Sequence, residues 1–77
     1  MKFESALSTI REFGGRIKRI SYPEIDYFID TKQNLLMHHD YDEDLGVNEK
    51  IDEAQLWGSD LLADDWEVDL EGTWKDQ

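Results

Sequence analysis

The sequence has no cysteine and a single proline. Without cysteine, neither a disulfide framework nor a thiolate metal site can supplement a small core. No apolar run approaches the length of a membrane span, and no signal-peptide pattern opens the chain. The expected location is therefore cytoplasmic, with no membrane contact. Positive charge is scarce as well: eight basic side chains stand against nineteen acidic ones, a net charge of −11. That balance excludes direct nucleic-acid or anionic-membrane binding through the overall field.

What is present is compact in kind. The 77 residues suffice for one domain. A domain of this size buries only about 60% of the surface its unfolded chain exposes, so self-association is the obvious remaining source of buried area. Three Trp, three Tyr and three Phe are a heavy aromatic load, and some of these rings are expected at an interface or a pocket. The acidity is one-sided. Residues 1–37 carry six basic against five acidic side chains, and residues 38–77 carry two against fourteen. The second half therefore suits a basic protein surface, although acidic residues also simply keep a small protein soluble.

The pattern predicts an α+β fold, with an N-terminal helix packed on a small antiparallel β-sheet over residues 1–70 and a tail over 71–77. Ala6, Leu7, Ile10 and Phe13 recur at helical spacing within Phe3–Phe13, and Gly14-Gly15 stops the helix. Arg16–Ser21 suits a strand, which Tyr22-Pro23 is expected to break. Ile25–Ile29 alternates as a second strand, with Ile25, Tyr27 and Ile29 on one face and Asp26 and Phe28 on the other. Thr31–Asn34 reads as a turn and Leu35–His39 as a third strand, completing a meander with the helix over one face. Asp40–Lys50 reads as an acidic loop, and Ile51–Trp57 is ambiguous between strand and helical turn. Ser59 suits the N-cap of a helical turn through Leu61, Leu62 and Ala63, and Trp66–Leu70 a final strand.

Several chemistries fail on residue pattern. The run Asp40-Tyr41-Asp42-Glu43-Asp44 places carboxylates at alternate positions, as a calcium loop does. Its sixth position is Leu45 where the sharp turn needs glycine, and its twelfth is Ile51 where a bidentate glutamate belongs. His38 and His39 are adjacent on a strand and point to opposite faces, so they suit no shared metal. There is no nucleophile in a recognisable setting and no phosphate loop, and Asp64-Asp65 reads as a solvated helix-end pair. No enzyme activity, metal or cofactor is expected. A binding site fits better. Arg16, Lys18 and Arg19 cluster on one strand beside Ser21 and Tyr22, with alternation placing Arg19 with Ile17 and Ser21 and Lys18 with Arg16 and Ile20; they offer guanidinium forks to phosphate and a ring for stacking. Ser59 and the amides after it suit an anion or polar group, and Asp60 suits ribose hydroxyls or a base amine. The same basic residues are equally suited to pairing with this chain's many carboxylates.

The run Asp60-Leu61-Leu62-Ala63-Asp64-Asp65-Trp66-Glu67-Val68 resembles the C-terminal signature of the Thoeris anti-defence sponges, a phage protein family. Phe3-Glu4-Ser5-Ala6-Leu7 followed by Gly14-Gly15-Arg16-Ile17-Lys18-Arg19 is similar to that family's opening helix, glycine turn and basic strand. The chain departs from the family where Ser21-Tyr22-Pro23 replaces a Gly-Trp pair and Leu56-Trp57-Gly58-Ser59 replaces a Pro-Ser segment. The resemblance implies a small α+β protomer, assembling as a homo-oligomer (a tetramer), in the cytoplasm of an infected bacterium. It implies a protein that does no chemistry and sequesters a cyclic ADP-ribose-type immune signal in pockets between protomers. Mapped by motif, the ligand-binding residues would be Phe3, Arg19, Tyr22 and Asp60, with Trp57 and Ser59 as local substitutes and Arg16 and Lys18 adding charge. Trp66 belongs to the run, but its alternating context predicts core packing. The rival expectation is an acidic inhibitor of a basic host defence protein such as a nuclease or toxin. In that case Asp40, Asp42, Glu43 and Asp44 would carry the recognition.

Overall fold

A computed structural model describes residues 1–40 and 50–71. The order of elements is α1 (Phe3–Phe13), β1 (Arg16–Arg19), β2 (Tyr22–Asp30), β3 (Leu35–Asp40), β4 (Lys50–Glu53), α2 (Gly58–Leu62) and β5 (Trp66–Asp69). The five strands form one antiparallel sheet in the order β4-β3-β2-β1-β5. This is the predicted α+β arrangement, with a strand added at each edge of the meander.

Helix α1 spans the predicted residues and buries Phe3, Ala6 and Ile10. Phe13 does not join them and is exposed. A turn of about 100° per residue carries position 13 to the margin of the stripe, and Gly14 ends the helix directly after it. Gly14 and Gly15 both take positive φ, 77° and 98°. At Gly15 space also forbids a side chain: a Cβ would lie 2.5 Å from the Asp69 carbonyl oxygen on β5. The glycine pair thus ends the helix and lets β1 run close against the end of β5.

Alternation along β2 divides its side chains as expected. Ile25, Tyr27 and Ile29 join Ile17, Leu36 and Val68 beneath α1, where Trp66 fills the centre at 1% exposure. Its ring lies 5.1 Å from that of Phe3 and 5.4 Å from that of Tyr27. Its indole Nε1 donates to the Asp60 carbonyl at 2.9 Å, so the buried polar atom is satisfied. Trp66 is therefore core, as its context predicts. On the opposite face, cross-strand register places Arg16 by Asp69, Lys18 by Glu67, and Asp26 by His39.

Two boundaries differ from the sequence reading. Strand β2 begins at Tyr22 rather than after Pro23, so the break falls at Ile20-Ser21, just after the β1–β2 register shifts between Lys18 and Arg19. Proline at the start of a strand lacks only a donor that the ladder does not use there. The ambiguous stretch Ile51–Trp57 divides, with β4 ending at Glu53 and α2 beginning at Gly58. The turn before β3 is as expected: the Asp30 carboxylate accepts from the amides of Lys32 and Gln33, and Asn34 takes a φ of 57°. Among the described residues, no helix is long and apolar enough to cross a membrane.

Candidate functional site

Beside the core, the ends of β1 and β2 and the segment leading into α2 enclose an open cleft of about 260 Å³. Its walls include Arg19, Tyr22, Trp57, Ser59 and Asp60, five of the residues singled out in the sequence, together with Ile25, Tyr27 and Gln55. Two of its rings face solvent: Trp57 is 78% exposed and Tyr22 53%. Large aromatic surfaces left in water beside a concavity are the usual material of a stacking site.

The charged wall is built from three residues on different elements. Arg19 closes β1 and donates from Nε to Asp65 Oδ1 and from Nη1 to Asp60 Oδ1, both at 2.8 Å. Its guanidinium also lies 5.2 Å from the centre of the Tyr22 ring. Asp65 uses its other oxygen to accept from the backbone amide and the hydroxyl of Ser21, which fixes the turn that carries Tyr22. Asp60 uses its second oxygen to accept from the Trp57 amide at 3.0 Å. Asp60 therefore caps α2 by reaching back from the third helical position. Ser59, expected as the N-cap, is instead inside the helix, exposed on the cleft wall.

These contacts reassign roles. Asp60 is buried, ties Arg19 to Trp57, and accepts the Trp66 indole through its carbonyl. It is a keystone of the wall before it is a contact for any ligand. Asp65 is not part of a solvated pair but the anchor of Arg19 and Ser21. Its place follows from the pairing of β5 with β1, whose register sets Trp66, the next residue, opposite Arg19.

Three expected site residues lie elsewhere. Phe3 is in the core against Trp66 and does not line the cleft. Arg16 and Lys18 alternate away from Arg19 onto the other face of the sheet. There Arg16 bonds Asp26 at 2.8 Å and lies 4.7 Å from the Phe28 ring centre, while Lys18 is 3.6 Å from Glu67. The basic cluster of the sequence is thus split by strand alternation, and only Arg19 reaches the cleft. His39 is buried on the same open face with Nδ1 3.3 Å from Arg16 Nη1. Asp40 ends β3 in register with Ile25 and Lys50, and Asp42, Glu43 and Asp44 lie outside the described residues. Among the described residues no cluster of His, Asp and Glu is assembled to hold a metal.

Residues that the sequence reading passed over are Ile25, Tyr27 and Gln55. Tyr27 was legible as a core-facing position, but its place on the cleft wall depends on how the segment before α2 folds beside β2. Its phenol is pushed above the ordinary tyrosine range, first by burial and then by the negative charge of Asp60, with Arg19 opposing. The Asp65 carboxyl is held well below the usual carboxylate range, chiefly by the Arg19 hydrogen bond and then by Ser21. Because its folded-state pKa is depressed, its contribution to stability is complete above about pH 4 and is lost as the pH falls further. Urea unfolding of the protein and of Asp65→Asn at about pH 6 and about pH 3 measures this. The midpoint of the protein should fall more on acidification than that of the variant, and equal falls would contradict the role given to Asp65.

No family model, curated protein or solved structure matches this chain.

Proposed function

We propose that this chain is a phage anti-defence protein that binds a cyclic ADP-ribose-type signalling nucleotide and sequesters it without chemistry. The observation that carries this reading is the cleft itself. Arg19, Tyr22, Trp57, Ser59 and Asp60 come from separate parts of the sequence and line one concavity with two rings open to solvent. A heterocyclic base would stack on Trp57 and Tyr22, while the Gln55 amide and Ser59 hydroxyl offer hydrogen bonds to its edge and to ribose. At about 260 Å³, the cleft is slightly below the usual range of about 300–1,000 Å³ for small-molecule pockets. A second copy of the chain would enlarge it. Leu61 and Leu62, exposed on α2 next to the cleft wall, supply apolar surface for such a homo-oligomer.

Sequestration acts by mass action, so it requires tight binding and no turnover. Calorimetry with cyclic ADP-ribose and its isomers tests the reading directly. The expected result is saturable heat with one of them, and recovery of the intact ligand after the protein is heat-denatured. Absence of heat with all of them, or recovery of a cleaved product, would remove it.

A further inference from the structure

We infer that the cleft recognises the base and ribose of its ligand and provides no ionic site for the phosphates, an inference that rests on the nucleotide-binding reading above. The sequence offers three cations for a pyrophosphate on β1, but among the described residues the cleft wall has one, Arg19. Arg16 and Lys18 face the opposite side of the sheet, beside Asp26 and Glu67. Arg19 is already paired twice, at 2.8 Å to Asp60 and at 2.8 Å to Asp65. Two carboxylates around one guanidinium leave the cluster net negative, within a chain of net charge −11. A diphosphate brought against this wall would meet a guanidinium whose Nε and one terminal nitrogen are committed, with the Asp60 carboxylate beside it in the cleft and the Asp65 charge directly behind it. Salt screens over about 8 Å at physiological strength and does not relieve repulsion at shorter range. A neutral heterocycle has no such conflict, since the other described residues of the wall are Tyr22, Ile25, Tyr27, Trp57 and the uncharged polar Gln55 and Ser59. The phosphates would lie at the open mouth, in solvent.

Asp65 sets this preference without lining the cleft. It neutralises Arg19 from behind, and the same carboxylate holds Ser21. Asp65→Asn keeps an oxygen to accept the Arg19 Nε hydrogen but removes the charge. The variant should therefore gain affinity for phosphate that the natural residue withholds.

The test is a calorimetric series with the full chain: adenosine, AMP, ADP-ribose and cyclic ADP-ribose, each at low and high salt. The expected result is that adding phosphates tightens binding by less than about threefold, and that Kd is nearly independent of salt. Affinity rising about tenfold or more with the phosphates, and falling as salt rises, would overturn the inference while leaving nucleotide binding in place. No binding of any member would remove the nucleotide reading and this inference with it. In Asp65→Asn, ADP-ribose should tighten about tenfold relative to adenosine and become salt-sensitive. An unchanged ratio in a folded variant would contradict the part assigned to Asp65. If the variant does not fold, the unsubstituted series alone decides.

Discussion

Replacing Trp66 with alanine is expected to cost most of the stability of the fold. Trp66 is 1% exposed and lies between Phe3 on α1 and Tyr27 on β2. Truncating a buried tryptophan costs about 3–5 kcal/mol, the lost transfer energy together with the cavity left behind. A chain of this length has about 4–12 kcal/mol of stability in total, at about 0.05–0.15 kcal/mol per residue. The loss is compounded because the Asp60 carbonyl forfeits the indole donor on the strut that joins Arg19 to Trp57. Urea unfolding followed by circular dichroism should show the midpoint of Trp66→Ala collapsing toward zero. A midpoint close to that of the parent would mean that the core is not organised around this ring.

Trp57→Ala should do the opposite, leaving the melting curve in place and weakening ligand binding. At 78% exposure the ring contributes little burial to the fold. Base–aromatic stacking is worth about 1–3 kcal/mol, which is about 5- to 150-fold in Kd. Trp57→Phe should retain most of the affinity, because a phenyl face still stacks. A large fall in stability with unchanged affinity would make Trp57 a structural residue and move the site elsewhere. The two tryptophans lie nine residues apart and divide the work, one holding the fold and the other facing the ligand.

Much of this architecture could be read from the chain, because periodicity reports which side chains are removed from water. The helical spacing of Ala6, Leu7 and Ile10, the glycine pair, and the alternation of Ile25, Tyr27 and Ile29 reappear as α1, its stop and the core face of β2, while Phe13, read as part of the same stripe, is exposed. What local pattern does not carry is which strands become neighbours. Pairing of β1 with β5 joins residues about fifty positions apart and places Asp65 beside Arg19. That pairing converts an apparent helix-end acid into the anchor of a cation. Alternation along β1 already divides its basic residues, Arg19 with Ile17 and Lys18 with Arg16, and the structure keeps that division; what the run does not carry is that the cleft opens on the Arg19 face alone. Ser59 met the compositional rule for an N-cap, but Asp60 supplies the oxygen, since a carboxylate at the third helical position reaches the free amide of Trp57. The Asp60–Val68 run likewise divides by role. Trp66 and Val68 build the core, Asp60 and Asp65 brace Arg19, and Leu61 and Leu62 remain exposed.

The central claim is that a nucleotide-type ligand occupies the cleft against Trp57. It is tested most directly by titrating the nitrogen-15-labelled protein with cyclic ADP-ribose and following the tryptophan indole signals, assigned with Trp57→Phe. The account predicts that the Trp57 indole signal shifts saturably, together with the amides of Tyr22 and Ser59, while the buried Trp66 indole keeps its bond to Asp60 and moves little. Saturable shifts confined to the opposite face of the sheet, around Arg16, Lys18 and His39, or no shifts at all, would contradict it.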